Sequence, residues 1–193
     1  MRLIAVLLLA ACHPPLPNYE YTKEPDPRNR ELVLGVGDTV SINVYDNTGL
    51  NAESTIRPDG TITMPLVGDL KAAGETPTAL KNHITERLAD FVKLSGPVVT
   101  VAVKGWHSYR FRIDGEVSKP GVYTSDHYVT IADALALAGG PTRFARKNEI
   151  KLFREDPKTH ETREIPFDYD VLTGGKKPEM NIYVLSGDAI NVP

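Results

Sequence analysis

The 193-residue chain has one cysteine, one tryptophan and three methionines; aromatics make up 7% of it, and neither sign of charge dominates. Each scarcity removes a class of protein. A single Cys cannot close an internal disulfide, and a cysteine-rich tetrahedral zinc site is excluded with it. The 22 Lys and Arg against 25 Asp and Glu leave a formal charge of −3, whereas a protein that binds nucleic acid by neutralising phosphates is basic. No apolar run approaches the roughly 20 residues that a helix needs to cross a bilayer core. The 41% apolar content is too high for a disordered chain. The length suits one compact domain or two small ones.

What is present begins at the amino terminus. Arg2 is followed by nine apolar residues, Leu3 to Ala11, a charged region ahead of a short apolar one, as in a secretory signal. The run ends Leu9-Ala10-Ala11-Cys12 and changes abruptly to His13-Pro14-Pro15-Leu16-Pro17. It resembles the lipobox of bacterial lipoproteins, which implies a signal peptide over residues 1–11, cleavage before Cys12 and lipid on its sulfur. Several acyl chains on one residue hold a membrane far more firmly than a single myristoyl group. Position 13 is His, where inner-membrane retention favours Asp, so the resemblance points to the outer membrane. Residues 12–30 contain five Pro, mixed charges and no apolar period, and read as a Pro-rich tether. At about 3.1 Å per residue it reaches at most roughly 55 Å. Tyr19 and Tyr21 alternate in it, either as docking contacts or as solvated side chains.

Residues 31–104 read as a first domain. Gly37-Asp38 turns into Thr39 to Tyr45, where Val40, Ile42 and Val44 alternate with polar residues, the mark of a half-buried strand. Asp59-Gly60 between Ile56 and Thr61-Ile62-Thr63-Met64 predicts a hairpin, because Gly accepts positive φ at low cost. Thr76-Pro77 opens a helix as cap and first residue. Leu80, Ile84, Leu88 and Val92 make its core stripe. Pro97 to Val103 closes the domain as a strand with Val99, Val101 and Val103 on one face.

Residues 105–193 read as a second domain. Phe111 to Val117 predicts a strand and Lys119-Pro120-Gly121 a turn, with Val122-Tyr123 extended beyond it. Thr130 caps a short helix, with Asp133 completing an approximate capping box. Ile131, Ala134, Leu135 and Ala138 form its apolar stripe, and Gly139-Gly140-Pro141 stops it. Ile150 to Arg154 and Leu185 to Pro193 predict further strands. The fold class is α+β, the second part a β-grasp-like sheet with a helix across one face. The Gly-Asp pairs at 37–38 and 187–188, each followed by alternation, echo one another, as a weak internal repeat or as shared turn chemistry.

Leu34-Gly35-Val36-Gly37-Asp38, Arg57-Pro58-Asp59-Gly60-Thr61-Ile62, Met64-Pro65-Leu66-Val67-Gly68 and Pro97-x-Val99-x-Val101 resemble the polysaccharide biosynthesis/export domain. Ile113-x-Gly115-Glu116-Val117-x-x-Pro120-Gly121-Val122-Tyr123 and Ala132-x-Ala134-Leu135-x-x-Ala138-Gly139-Gly140 resemble the SLBB (soluble-ligand-binding β-grasp) module that follows it. The order and spacing, behind a lipobox, resemble the outer-membrane polysaccharide export lipoproteins. That resemblance implies a homo-oligomeric ring and polysaccharide as cargo. Larger members build an outer-membrane barrel from a C-terminal amphipathic helix, whereas this sequence stops at Val192-Pro193. The expectation is therefore a lipid-anchored ring or adaptor on the periplasmic face of the outer membrane. It would take polymer from an inner-membrane co-polymerase and dock on a separate outer-membrane β-barrel, since only helices and closed barrels satisfy backbone polar groups in lipid.

Catalysis is not expected. The five His, at 13, 83, 107, 127 and 160, have no metal-ligand spacing. Asp133 and Glu116 read as a helix cap and a turn-flanking charge rather than as an acid–base pair. No cofactor, metal or nucleic acid is expected. The rival reading is a stand-alone periplasmic lipoprotein that binds a glycan or small ligand. Trp106, Tyr109, Tyr123 and Tyr128 are then candidates to stack on sugar faces, and otherwise they are core or subunit contacts.

Overall fold

The computed structural model describes residues 18–91, 99–157 and 159–193. The apolar leader with Cys12, Val92 of the expected helix stripe and Pro97-Val98 of the expected strand lie outside the described residues.

Two apolar cores form in turn along the chain. In the first, β1 (Thr39–Val44) buries Val40, Ile42 and Val44 by its alternation. β2 (Ala52–Thr55) pairs antiparallel along one edge of β1, with Thr39 opposite Thr55 and Ile42 opposite Ala52. β3 (Thr61–Met64) and β4 (Gly68–Lys71) form a separate antiparallel ribbon. In α1 (Pro77–Leu88) the Thr76 hydroxyl accepts from the Ala79 amide at 3.2 Å, and Leu80, Ile84 and Leu88 are fully buried. Burying each such side chain contributes roughly 1.5–3 kcal/mol. β5 (Val99–Gly105) takes the other edge of β1, so the sheet runs β2-β1-β5.

The Asp59-Gly60 turn forms, with the Gly60 amide donating to the Arg57 carbonyl at 2.8 Å and Gly60 at φ +80°. The expected hairpin does not. β2 pairs with β1, whereas β3 pairs with β4 across the reversal at Pro65-Leu66-Val67. A tight turn specifies only that the chain reverses. Here the ladder follows burial, and Ile62 and Leu70 face one another on the first core.

The second core is built from β6 (Arg110–Gly115), β7 (Gly121–Thr124), α2 (Ile131–Leu137), β8 (Ile150–Glu155), β9 (Thr162–Phe167), α3 (Tyr169–Thr173) and β10 (Ala189–Val192). The sheet order is β7-β6-β10-β8-β9, with β10 parallel to β6 and antiparallel to β8. Two hairpins thus receive the last strand between them, the β-grasp arrangement expected. Gly115, at φ +90°, lies where a Cβ would come within 2.1 Å of the Val192 carbonyl oxygen, so only Gly lets β6 and β10 meet. α2 begins with a full capping box: Thr130 Oγ1 accepts from the Asp133 amide and Asp133 Oδ2 from the Thr130 amide. Ile131, Ala134, Leu135 and Ala138 face the core. Gly139 and Gly140, at φ +77° and +76°, stop the helix.

The expected tether does not remain free chain over residues 19–30. Tyr21 is buried in the second core, and its hydroxyl donates to the Pro166 carbonyl. Asp26 Oδ1 accepts from the Arg28 amide at 3.0 Å and caps a 3-10 turn over Pro27–Asn29. The same chain then reaches the first core, where Leu34 is buried and exchanges backbone hydrogen bonds with the chain at 74–75. The proline-rich segment folds into 3-10 turns at Tyr21–Lys23 and Pro27–Asn29, and its aromatic and carboxylate side chains find partners on β8 and β9. Residues 19–36 are a strap laid over the second unit before the first. Among the described residues no helix is long and apolar enough to cross a membrane.

Candidate functional site

The two units meet at residues 106–109, and a buried carboxylate from the first unit holds that linker. Asp38 Oδ1 accepts from the His107 and Ser108 amides, each at 2.7 Å. Its Oδ2 accepts from the Ser108 hydroxyl and the Gly35 amide, each at 2.8 Å. Four donors satisfy a charge that has no accessible surface. Gly35 must be Gly for this approach, because a Cβ there would lie 2.3 Å from Ser108 Cβ.

A second buried network holds the strap. Arg154, 3% exposed, donates from Nε and one terminal nitrogen to Asp188 at 2.6–3.2 Å, from that nitrogen to the Tyr183 carbonyl at 2.8 Å, and from the other to Glu24 at 2.7 Å. Burial opposes the guanidinium charge, but hydrogen bonds and attraction from Asp188 and Glu24 outweigh it and hold its pKa above the ordinary value. The Tyr19 hydroxyl donates to Glu24 as well, and burial, reinforced by that carboxylate, pushes the phenol up to about 12.

Between these two fixed points the strap and the linker enclose a cleft of about 680 Å³, within the range of ligand pockets. Pro25, Pro27 and the apolar stretch Leu32 to Val36 make one wall, with Val33 and Val36 exposed in it. Trp106, Tyr109 and Tyr128 make the other. Trp106 stacks on Tyr109 at 4.8 Å and 17° and meets Tyr128 edge-on at 4.9 Å and 79°. Tyr109 is buried, and its hydroxyl donates to the Val184 carbonyl at 2.9 Å and accepts from the Val129 amide at 3.3 Å. Burial pushes its pKa up to about 12 and raises that of Tyr128 too. Arg30, Glu31, Arg110 and Ser186 contribute polar groups to the lining.

Three of the four candidate aromatics therefore share one wall, Tyr109 as the buried support and Trp106 and Tyr128 as partly exposed surface. Tyr123 stands apart, stacked on Phe111 at 5.9 Å with its hydroxyl donating to the Lys119 carbonyl. Cys12 lies outside the described residues. Glu116 accepts from the Thr142 hydroxyl at 2.8 Å, and Asp133 caps α2. The strap wall and the Glu24-Arg154-Asp188 network are not visible in the sequence pattern. The available signal is the Gly-Asp pair shared by positions 37–38 and 187–188, which marks both buried aspartates. Arg154 carries no such signal, since an Arg within a strand pattern reads as exposed.

The polysaccharide biosynthesis/export protein family matches residues 26–104, and the SLBB domain matches residues 110–167. The first match takes in part of the strap, and the second stops short of β10, which the sheet requires. The EPS I polysaccharide export outer membrane protein EpsA of Ralstonia solanacearum is 33% identical over 131 residues, covering 55% of this chain and 34% of the relative. The exopolysaccharide production protein ExoF of Rhizobium meliloti (strain 1021) is 28% identical over 127 residues, covering 60% of this chain and 30% of the relative. The chain spans about a third of the length of the curated relatives it matches.

Proposed function

The chain belongs to the polysaccharide biosynthesis/export protein family, and from that premise we propose that it is a lipid-anchored periplasmic component of a capsular or exopolysaccharide export channel. It forms a ring or adaptor that passes polymer toward the outer membrane and performs no chemistry on it. The observation that carries this reading is the consecutive match of an export domain and an SLBB domain, shared with relatives named for polysaccharide export and exopolysaccharide production. Transport needs a wetted path with weak contacts, so that polymer entering one end also leaves the other. Cys12 supplies the anchor, an inner-membrane co-polymerase supplies polymer, and a separate outer-membrane β-barrel provides the exit.

Deletion tests the proposal. A strain lacking this chain and any paralogue is expected to keep making polymer and to lose its secretion. Unchanged secretion overturns the export role. For the anchor, Cys12→Ser is expected to release the protein from membranes and abolish palmitate labelling; membrane partition without labelling of the parent overturns it. A second reading, a stand-alone glycan-binding lipoprotein, is favoured by one observation, the aromatic cleft. The size of the delipidated protein separates the two, because a ring subunit assembles at high concentration and a solitary binder stays monomeric.

A further inference from the structure

We propose that the cleft between the two units binds a saccharide segment that carries a carboxylate, stacked on Trp106 and Tyr128 and charge-paired with Arg30 and Arg110. This deepens the export reading, on which the choice of a saccharide rests. The preference for an anion comes from the cleft itself.

The aromatic wall is preorganised. Tyr109, pinned by two hydrogen bonds, supports the Trp106 indole from behind, and Tyr128 closes the corner edge-on. No side chain there needs to be ordered on binding, which removes part of the usual entropic cost. A pyranose offers an apolar C–H face to such a surface and directs its hydroxyls to the rim, where Ser186 lies. The charges choose among saccharides. Glu31 is the one acid in the lining, and its carboxylate accepts from the Thr78 amide at 2.9 Å in the first turn of α1. Hydrogen bonds from Thr78 hold that carboxyl below its ordinary range. Arg110 uses only Nε, on the His107 carbonyl at 3.1 Å, which leaves its two terminal nitrogens free. The Arg30 guanidinium makes no hydrogen bond or ion pair among the described residues. A protein of net charge −3 thus presents two uncommitted guanidinium groups to one cleft, and their planar geometry suits a carboxylate. The strap wall is itself locked by Glu24 on Arg154, so the cleft is complete only while the strap is docked.

Trp106 is the only tryptophan, so its fluorescence reads the site directly. The full-length chain in detergent is titrated with trigalacturonate and, as a neutral comparator, maltotetraose, at low ionic strength where charge pairing is least screened. Trigalacturonate is expected to change the emission saturably and to bind about tenfold more tightly than maltotetraose, as two exposed ion pairs allow. Arg30→Gln and Arg110→Gln, both at exposed positions, are each expected to weaken trigalacturonate about threefold and to leave maltotetraose unchanged. Tyr128→Leu is expected to weaken both sugars about fivefold. The proposal is overturned by the absence of a saturable change, by binding that the double Arg variant leaves unaltered, or by emission that follows protein concentration instead of saccharide, which would place a second copy in the cleft. Arginine-dependent binding by a chain whose deletion leaves secretion intact supports the site and removes the export role. Lost secretion without saccharide binding supports the export role and removes the site.

Discussion

Asp38 and Asp188 open corresponding strands in the two units, and the turns that present them are nearly identical. Gly37 and Gly187 stand at φ +92° and +91°. Each Asp amide donates to the carbonyl three residues back at 3.2 Å, and each carboxylate accepts from the amide at that same position, at 2.8 Å in one case and 2.7 Å in the other. Both side chains are buried. They differ in what occupies the remaining acceptor sites. Asp38 receives two backbone amides and a hydroxyl from the interdomain linker, all neutral. Asp188 receives a guanidinium that reaches on to Glu24 in the strap. The sequence echo is thus shared turn chemistry. Each turn leaves its carboxylate free to make a different long-range connection, joining the two units in one case and fastening the amino-terminal segment in the other.

That contrast can be broken from either side. Arg154→Ala leaves Asp188 buried without its cation and Glu24 with only Arg163, at 3.4 Å, and is expected to cost about 4 kcal/mol in urea unfolding, with new protease sensitivity in residues 19–30. A cost below about 1 kcal/mol, with the strap still protected, would mean that the ion network is incidental. Asp38→Ala leaves neutral donors without an acceptor and is expected to cost less, about 2–3 kcal/mol. It should also weaken protection of the 106–109 amides from hydrogen exchange while sparing the strap.

Alkaline titration separates the units in another way. The elevated phenols all belong to the strap or the second unit: Tyr19, Tyr21 and Tyr109, each pushed by burial to about 12, and Tyr128. The first core holds no tyrosine among the described residues. A neutral buried phenol whose folded pKa exceeds its unfolded value of about 10 stabilises the fold fully below about pH 10. That contribution declines as pH rises toward about 12. The second unit is therefore expected to loosen first, with tyrosinate absorbance in the near ultraviolet rising in step; loss of α1 before strap release would contradict this. The smallest effect lies in the caps. Thr130→Ala removes one half of a capping box and is expected to cost about 1 kcal/mol, against about 0.5 kcal/mol for Thr76→Ala, which loses a single bond. Equal costs would show that the second bond of the Thr130 hydroxyl, donated to Asp133 Oδ2 at 2.7 Å, adds nothing.

Elements with short-range causes are readable from the chain alone. The alternation of Val40, Ile42 and Val44, the Thr76-Pro77 start of α1 and the Thr130 capping box with its glycine stop all stand as expected. Each rests on side chains within one element or a backbone group a few residues away. The Asp59-Gly60 turn is equally visible, yet it joins strands of different sheets, because a turn carries no information about which neighbour a strand will pair with. Of the candidate site, Trp106, Tyr109 and Tyr128 are identifiable as residues but not as one wall. Their convergence depends on how the linker leaves β5 and how the 128–130 segment crosses Tyr109. Arg30 and Arg110 have no distinguishing mark among 22 basic residues.

By itself the sequence determined the α+β class, the order of the two units, the family resemblance and the elements marked by periodicity, caps and turn residues, but not β2, β4, β9 or α3. Only the tertiary structure decided that β10 enters between two hairpins, that a proline-rich segment lies pinned across the second unit, and that its far end walls a cleft against Trp106. Those outcomes join groups such as Glu24 and Arg154, or Asp38 and Ser108, that are distant in sequence. A buried charge is stable only where its partners converge in space, and no local pattern encodes that convergence.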